Sequence, residues 1–172
     1  VGGFYDNKDY KRIFARLNND FNINKYIGGT FDFNFRRTAT TDPTHGDPLG
    51  EIRIASPVYP AMWTDGRVAD GKAGANVWAR LKYGGTNQNW YNQISGRVGL
   101  DIKPFDGLKI SGILAPIFDF NSQKFFNNKV DAYSATDPTQ FVVTLSENGA
   151  NATNRLFESR SNSLALTTQL LM

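Results

Sequence analysis

Two pairs of alternating segments constrain this sequence more than any other feature. Residues 10–21 and 26–37 alternate between apolar and polar or charged side chains, and only residues 22–25 separate them. Residues 91–103 and 108–120 form a second pair, which is joined by Pro104, Phe105, Asp106 and Gly107. Successive side chains of a strand point to opposite sides of its sheet, so this alternation predicts two antiparallel hairpins with tight turns.

The other connections are long. Residues 38–90 and 121–154 are rich in Pro, Gly, Asp and Thr, which are common in turns and loops, and a fifth strand is predicted at 159–171. Tight turns at one end of the strands and long loops at the other are typical of a transmembrane β-barrel. We therefore predict an all-β fold in which residues 1–172 form about five strands of an antiparallel barrel wall, with 38–90 and 121–154 as extracellular loops. The apolar run 141–145 is predicted to form a small hairpin or to pack over the barrel mouth.

The apolar residues of each predicted strand share one side, which we expect to face lipid at mid-membrane depth: Ile13, Leu17, Phe31, Phe33, Val98 and Leu100. A soluble β-sandwich is the alternative, because its strands alternate in the same way. The barrel is favoured because soluble strands usually have about five or six residues, whereas these segments are longer and keep charges away from the middle of the apolar side. Pro116 lacks a ladder donor, so the fourth strand is expected to bulge or to end early.

Composition excludes several classes of function. The 19 basic and 16 acidic residues are spread along the chain without a basic block, so no nucleic acid is expected as a partner. The chain has no cysteine, which excludes disulfides and thiolate metal sites. It begins at Val1 and ends within a strand-like run, and we expect it to be an internal fragment of a larger protein.

Catalytic signatures are absent from the sequence. His45 is the only histidine, and there is no P-loop, no dinucleotide-binding glycine motif and no zinc-protease motif. We expect no enzyme activity and no cofactor. Asp65 and Asp70 offer carboxylates for calcium, but each precedes a glycine, and Asp-Gly pairs are ordinary turn formers.

Three stretches resemble one family. Residues 11–29 read KRIFARLNNDFNINKYIGG, and they resemble the strand, turn and strand "R-x-N-x-D-x-x-I-x-K-W/Y-L-x-x-G" of the SusC/RagA family of TonB-linked outer-membrane transporters from the Bacteroidetes. Residues 57–67 (PVYPAMWTDGR) are similar to its "P-x-Y-P-x-Y-x-x-D-G" loop, and residues 101–109 (DIKPFDGLK) to its "x-I-K-P-L-x-G-L-K" turn. The resemblance covers most of the chain from Tyr10 onward, in the family's order.

The resemblance implies a barrel of about 22 strands that imports oligosaccharides or peptides across the outer membrane. TonB would supply energy through parts of the parent protein outside this sequence, and a SusD-like surface lipoprotein would cap the barrel. The polar side would then line the lumen of the barrel. Its charged side chains would contact solute, hold a plug domain or only face the water inside the barrel. These lumen-facing residues are Arg12, Arg16, Asp32, Arg36, Arg97 and Asp101. Arg16 and Asp32 are expected to pair across the first hairpin.

Loop aromatics are the candidate binding residues. Tyr59, Trp63 and Trp78 lie in the first long loop, where exposed rings would stack on sugars or contact a lid. The alternative for each ring is packing within its own loop. A soluble carbohydrate-binding β-sandwich remains the second candidate function, with these same rings as its platform.

Overall fold

The computed structural model describes residues 7–44, 48–54, 56–71, 76–145 and 153–172. Its strands are β1 (Asp9–Asn22), β2 (Ile27–Pro43), β3 (Gly85–Phe105), β4 (Leu108–Asn127), β5 (Val130–Tyr133), β6 (Phe141–Leu145) and β7 (Arg155–Leu171). Two short helices, α1 (Pro48–Ile54) and α2 (Val77–Tyr83), lie between β2 and β3. The predicted all-β class is confirmed. None of the described helices has the length and apolar character needed to cross a membrane.

The long strands form one antiparallel sheet in the order β1-β2-β3-β4-β7. Both predicted hairpins are present, and Pro116 lies inside β4 without ending it. The small hairpin predicted at 141–145 is also present, since β6 pairs with β5 in a separate two-stranded sheet.

Four strands extend beyond their predicted ends, so the predicted loop boundaries were wrong. β2 continues to Pro43, β3 begins at Gly85, β4 continues to Asn127 and β7 begins at Arg155. The extension of β2 contains Thr38, Thr40 and Thr41, whose branched side chains favour strands although the segment has no strong apolar alternation.

The first tight turn is fixed by Asn24. Its side-chain Oδ1 accepts hydrogen bonds from the backbone nitrogens of Tyr26 at 2.8 Å and Ile27 at 2.9 Å. This is an Asx-type turn, in which an amide side chain replaces a backbone acceptor. In the second turn Gly107 has φ +94°, a left-handed conformation that glycine adopts without a steric penalty.

The described residues divide into two compact units. Unit 1 comprises those within 1–10, 40–89 and 123–159, and unit 2 those within 11–39, 90–122 and 160–172. Unit 1 contains a small hydrophobic core of Val68, Ala79, Val130 and Ala132, with Trp78 packed against it.

Asn76 joins three segments of unit 1 from a nearly fully buried position. Its Nδ2 donates to the carbonyl oxygens of Ala61 at 2.6 Å and Ala69 at 2.7 Å, and its Oδ1 accepts from the nitrogen of Ala79 as the N-cap of α2. All the hydrogen-bonding capacity of this amide except one lone pair is therefore used inside unit 1.

Candidate functional site

One side of the sheet of unit 2 is mostly polar, although Phe14, Tyr91, Ile113 and Ile117 alternate onto it as well. Hydrogen bonds across the first hairpin show its polar character on β1 and β2. Asn18 Nδ2 donates to Asp32 Oδ1 at 2.6 Å, and Arg16 Nε donates to Asn18 Oδ1 at 2.7 Å. The side chains of β1 and β2 that were predicted to be polar therefore lie on the same side. The direct pairing predicted between Arg16 and Asp32 is not formed, because Asn18 hydrogen-bonds to both of them instead.

The same side continues onto β3. A Cβ atom on Gly99 would lie 2.6 Å from the Oγ1 of Thr30, so Thr30 of β2 and Gly99 of β3 face each other on this side. Thr30 alternates in step with Asp32, and Gly99 lies between Arg97 and Asp101 in the same alternation.

The remaining strands are joined by two carboxylates. Asp101 Oδ1 accepts from Ser111 Oγ at 2.6 Å, and its Oδ2 lies 3.0 Å from Lys109 Nζ. Asp119 Oδ1 accepts from Gln93 Nε2 at 2.9 Å, and its Oδ2 accepts from Ser163 Oγ of β7 at 3.4 Å. We call this surface, which crosses all five long strands, the polar side of unit 2.

Strand alternation places all six residues that were predicted to line a lumen on the polar side: Arg12, Arg16, Asp32, Arg36, Arg97 and Asp101. The sequence reasoning did not include Asp119 and Ser163. The alternation Phe118-Asp119-Phe120 carried the signal for Asp119, whereas the weak pattern of β7 gave little for Ser163.

The opposite side of unit 2 is apolar and uncovered. Ile13 is 61% exposed, Leu17 55%, Val98 45% and Leu164 62%. Every buried hydrophobic residue of the described chain lies in unit 1. The large aliphatic and aromatic side chains of unit 2 are therefore not packed in a hydrophobic core of the described residues.

Charges on this apolar side occur only towards one end of the strands. Alternation places Lys11, Arg37 and Arg160 on the apolar side, near the strand ends that are far from the tight turns. From these three residues to the tight turns, the apolar side of unit 2 has no Asp, Glu, Lys or Arg. The result is an apolar band that crosses all five long strands.

The loop aromatics belong to unit 1 and have different surroundings. Trp63 Nε1 donates to the carbonyl oxygen of Ser134 at 3.1 Å. Trp78 packs on the core, meets Tyr83 edge to face at 5.7 Å and lies 5.1 Å from Lys82 Nζ. Tyr59 is 41% exposed. Of the three, Tyr59 has the ring most available to a ligand.

The two candidate calcium carboxylates have structural partners. Asp65 Oδ1 accepts from the nitrogen of Arg67 at 3.0 Å and its Oδ2 lies 3.0 Å from Arg67 Nε, while Asp70 Oδ1 accepts from the nitrogen of Ala135 at 2.9 Å. Within the described ranges no group of three His, Cys, Asp or Glu residues is placed to hold a metal ion. His45 lies outside the described residues.

One carboxyl group of unit 1 has a shifted pKa. Asp137 Oδ1 accepts from the Oγ1 of Thr139 at 2.7 Å and from its nitrogen at 2.9 Å. These hydrogen bonds, together with the charge of Arg67, lower the pKa of Asp137 below its ordinary value of 3.8.

No family model, curated protein or solved structure matches this chain. The features of the chain that bear on function are the two sides of unit 2 and the aromatic side chains of unit 1.

Proposed function

We propose that this chain is part of the wall of an outer-membrane β-barrel, in a SusC/RagA-like, TonB-dependent importer of oligosaccharides or peptides. The observation that carries the proposal is the exposed apolar side of unit 2. Leaving such a surface in water is costly, at about 25 cal/mol for each Å² of apolar area. Lipid chains would cover it along the whole apolar band.

Strand length supports a membrane. The five strands of the sheet have 14, 17, 21, 20 and 17 residues. A tilted strand needs about 9 to 11 residues to cross the hydrocarbon core, whereas soluble strands usually have about five or six. Each of these strands is long enough to cross and to continue beyond the membrane.

The proposal requires further strands. Among the described strands, β1 and β7 are the two edges of the sheet, so each is paired with a described strand on one of its edges only. Open edges are not tolerated in lipid, because unpaired peptide groups have no water to bind. The rest of a barrel of about 22 strands would come from other parts of the parent protein.

The transport function follows from the resemblance and from the polar side. In a barrel whose apolar side meets lipid, the polar side of unit 2 lines the lumen, and the barrel acts as a pathway for solute without catalysis. A SusD-like lipoprotein would cap its outer end, TonB would drive it, and Tyr59, Trp63 and Trp78 would contact the solute or the lid.

The competing soluble carbohydrate-binding sandwich needs a second sheet over the apolar side. Among the described residues, the only other sheet is the two-stranded β5–β6 pair, which lies in unit 1. A sandwich of this chain would be soluble and monomeric without detergent, whereas a barrel wall would need detergent or lipid.

Cysteine labelling tests the proposal, since the native chain has no cysteine. Val98→Cys and Arg97→Cys are neighbours on β3 that point to opposite sides. In membranes that contain the parent transporter, we expect a lipid-soluble maleimide to label Val98→Cys and a water-soluble maleimide to label Arg97→Cys. Equal labelling of both variants by the water-soluble reagent would contradict the proposal.

A further inference from the structure

The apolar side of unit 2 has basic residues at the strand ends that are far from the tight turns. Lys11 on β1, Arg37 on β2 and Arg160 on β7 lie on this side, and all three are exposed. Neither arginine has a hydrogen bond or ion pair with another described residue. Their guanidinium groups therefore border an apolar surface without a partner in the described part of the chain.

No acidic strand residue of unit 2 shares this side. Alternation places the strand carboxylates of unit 2 on the polar side: Asp20, Asp32, Asp101 and Asp119. Glu158, which precedes Arg160 on the same side of β7, is ion-paired with Lys124 at 3.7 Å. On β1, Asp9 precedes Lys11 on the same side, so the excess positive charge of this border comes from the two arginines.

An indole ring lies at the same border. The hydrogen bonds that join β1, β2 and β3 set a register in which Lys11 and Trp90 flank Ala39 of β2, one step beyond Arg37 on the apolar side. Trp90 is half-buried. Tryptophan is enriched where a membrane meets water, and long basic side chains extend from that level to the headgroups. This row of residues therefore has the composition of a membrane boundary.

The length of the apolar band along β2 fits the thickness of a membrane. Ile27, the first residue of β2, lies ten residues from Arg37 on the same side. At about 3.3 Å per residue this is about 33 Å along the strand, or about 25 Å across the membrane at a strand tilt of about 40°. The outward apolar band of a barrel is about 25 Å tall, so Arg37 reaches one headgroup level when Ile27 lies at the other.

The two ends of the band differ in charge. At the turn end, the strand residues on the apolar side are Phe21, Ile27, Ile102 and Ile110, and none of them is charged. The basic border therefore belongs to one leaflet only. An occupant that matches the whole surface has apolar chains beside the band and an anionic group beside Arg37 and Arg160, and an anionic lipid has both.

We propose that the strand ends of unit 2 that carry Arg37 and Arg160 bind the headgroups of phosphate-bearing anionic lipids, in the leaflet on the side of the long connections. A guanidinium group donates paired hydrogen bonds to phosphate oxygens, while the acyl chains of the same lipid lie along the apolar band. The inference rests on the proposed function in taking the apolar side as lipid-facing, and it adds a lipid partner of defined charge.

Two labelled positions on the apolar side test the proposal. A fluorescent maleimide at Ala39→Cys reports the lipids beside Arg37, because both residues lie on this side of β2. Gly112→Cys is the reference position near the turn end of β4, where a Cβ meets no atom within 4 Å. The parent transporter is placed in phosphatidylcholine vesicles with spin-labelled phosphatidylglycerol or spin-labelled phosphatidylcholine of identical chains as the quencher, and the signal of the protein without the added cysteine is subtracted.

The ratio of quenching by the two lipids measures local enrichment. At position 39 we expect phosphatidylglycerol to be enriched about fivefold, the effect of one basic residue near a headgroup. The enrichment should fall as salt rises from about 20 to about 200 mM, because exposed charges are screened. At position 112 the two lipids should quench equally.

Two neighbouring arginines locate the effect. Arg37→Gln should bring the enrichment at position 39 to within about twofold of unity, because it removes the charge beside the label. Arg36→Gln removes the same charge from the polar side of β2 and should leave the enrichment unchanged. Both variants are compared at equal β-content by circular dichroism.

The inference is overturned if the two lipids quench position 39 equally, or if Arg36→Gln abolishes the enrichment as fully as Arg37→Gln. It is also overturned if inorganic phosphate at matched ionic strength removes the enrichment, since the arginines would then bind a free anion rather than a lipid. Failure of the proposed function gives a different result, because neither quencher lipid would then reach the label at position 39 or at position 112.

Discussion

The ring of Phe21 lies over Gly29 across the first hairpin. A Cβ atom on Gly29 would stand 2.7 Å from the Cζ of Phe21 and 2.6 Å from the carbonyl oxygen of Gly99 on the next strand. Any side chain at position 29 would displace both the ring and the backbone of β3. The glycine thus allows an aromatic ring to cover a strand position, which pins the register of the hairpin.

Gly29→Ala should therefore destabilise the sheet by about 1 to 3 kcal/mol, the usual range for overpacking. Gly112→Ala is the matched control, since its Cβ would meet no atom within 4 Å. Urea unfolding in detergent, followed by circular dichroism, measures both. Equal midpoints for the two variants would contradict the close packing at Gly29.

Phe33→Arg tests the lipid-facing assignment of the apolar side. An arginine near the bilayer midplane of a barrel costs about 2 to 4 kcal/mol, so we expect a loss of that size in the free energy of folding into vesicles. Asn34→Arg adds the same charge to the polar side and should cost less than about 1 kcal/mol. A larger loss for Asn34→Arg would reverse the assignment of the two sides.

Sidedness can be tested at two exposed positions. Ile23, in the first tight turn, and Val58, in the connection between β2 and β3, are both highly exposed. We predict that the tight turns at 22–25 and 104–107 are periplasmic and that the long connections are extracellular. An impermeant maleimide on intact cells should then label Val58→Cys and spare Ile23→Cys, and the opposite pattern would invert the topology.

Alanine replacements separate binding from packing among the loop aromatics. Trp63→Ala and Trp78→Ala should lower the stability of unit 1 by about 1 to 3 kcal/mol, because each removes a partly buried ring and Trp63 also loses a hydrogen bond. Tyr59→Ala should leave stability within about 0.5 kcal/mol and reduce uptake or lid association. Unchanged uptake and lid association in all three variants, at matched expression, would leave these rings as packing residues only.

The hydrogen bonds of Asp137 predict a pH dependence. Its pKa is lower in the folded chain than its ordinary value of 3.8, so the ionised carboxyl stabilises the fold at pH above that value. This contribution is lost as the pH falls below 3.8 through the folded pKa. Urea midpoints of the native chain and Asp137→Asn should therefore converge on acidification below about pH 4, and a constant difference would argue against the shift.

Much of the sheet was predictable because its strands alternate regularly between apolar and polar residues. The alternation of Phe31, Phe33 and Phe35 with Asp32 and Asn34 determines both the strand and its two sides. The strand extensions were not predictable in this way. In residues 38–43 and 85–90, polar residues occupy both sides, and there pairing with a neighbouring strand, rather than periodicity, determines the structure.

For the candidate site, the sequence predicts on which side of the sheet a residue lies but not which side chains it contacts. Alternation alone assigned Arg36 and Arg97 to the polar side, yet it could not indicate which charges would find partners. That outcome depends on cross-strand register, which pairs Asp119 with Gln93 and Ser163. The helices were missed because seven residues are too few to establish a helical period. The clearest local signal was Asn76 immediately before Val77, as the cap of α2.

The composition of the unit 1 core has a kinetic consequence. Val68 and Ala79 precede the β3–β4 hairpin in sequence, whereas Val130 and Ala132 follow it. Contacts between these two pairs of residues close a long loop in the chain. The entropic cost of closing that loop is smaller once the intervening β3–β4 hairpin has formed. The hairpin is local in sequence, and only Asp106 and Gly107 separate its two strands, so we expect it to form before these contacts. Substitutions in the β3–β4 turn should slow folding, whereas those in the core of unit 1 should mainly speed unfolding.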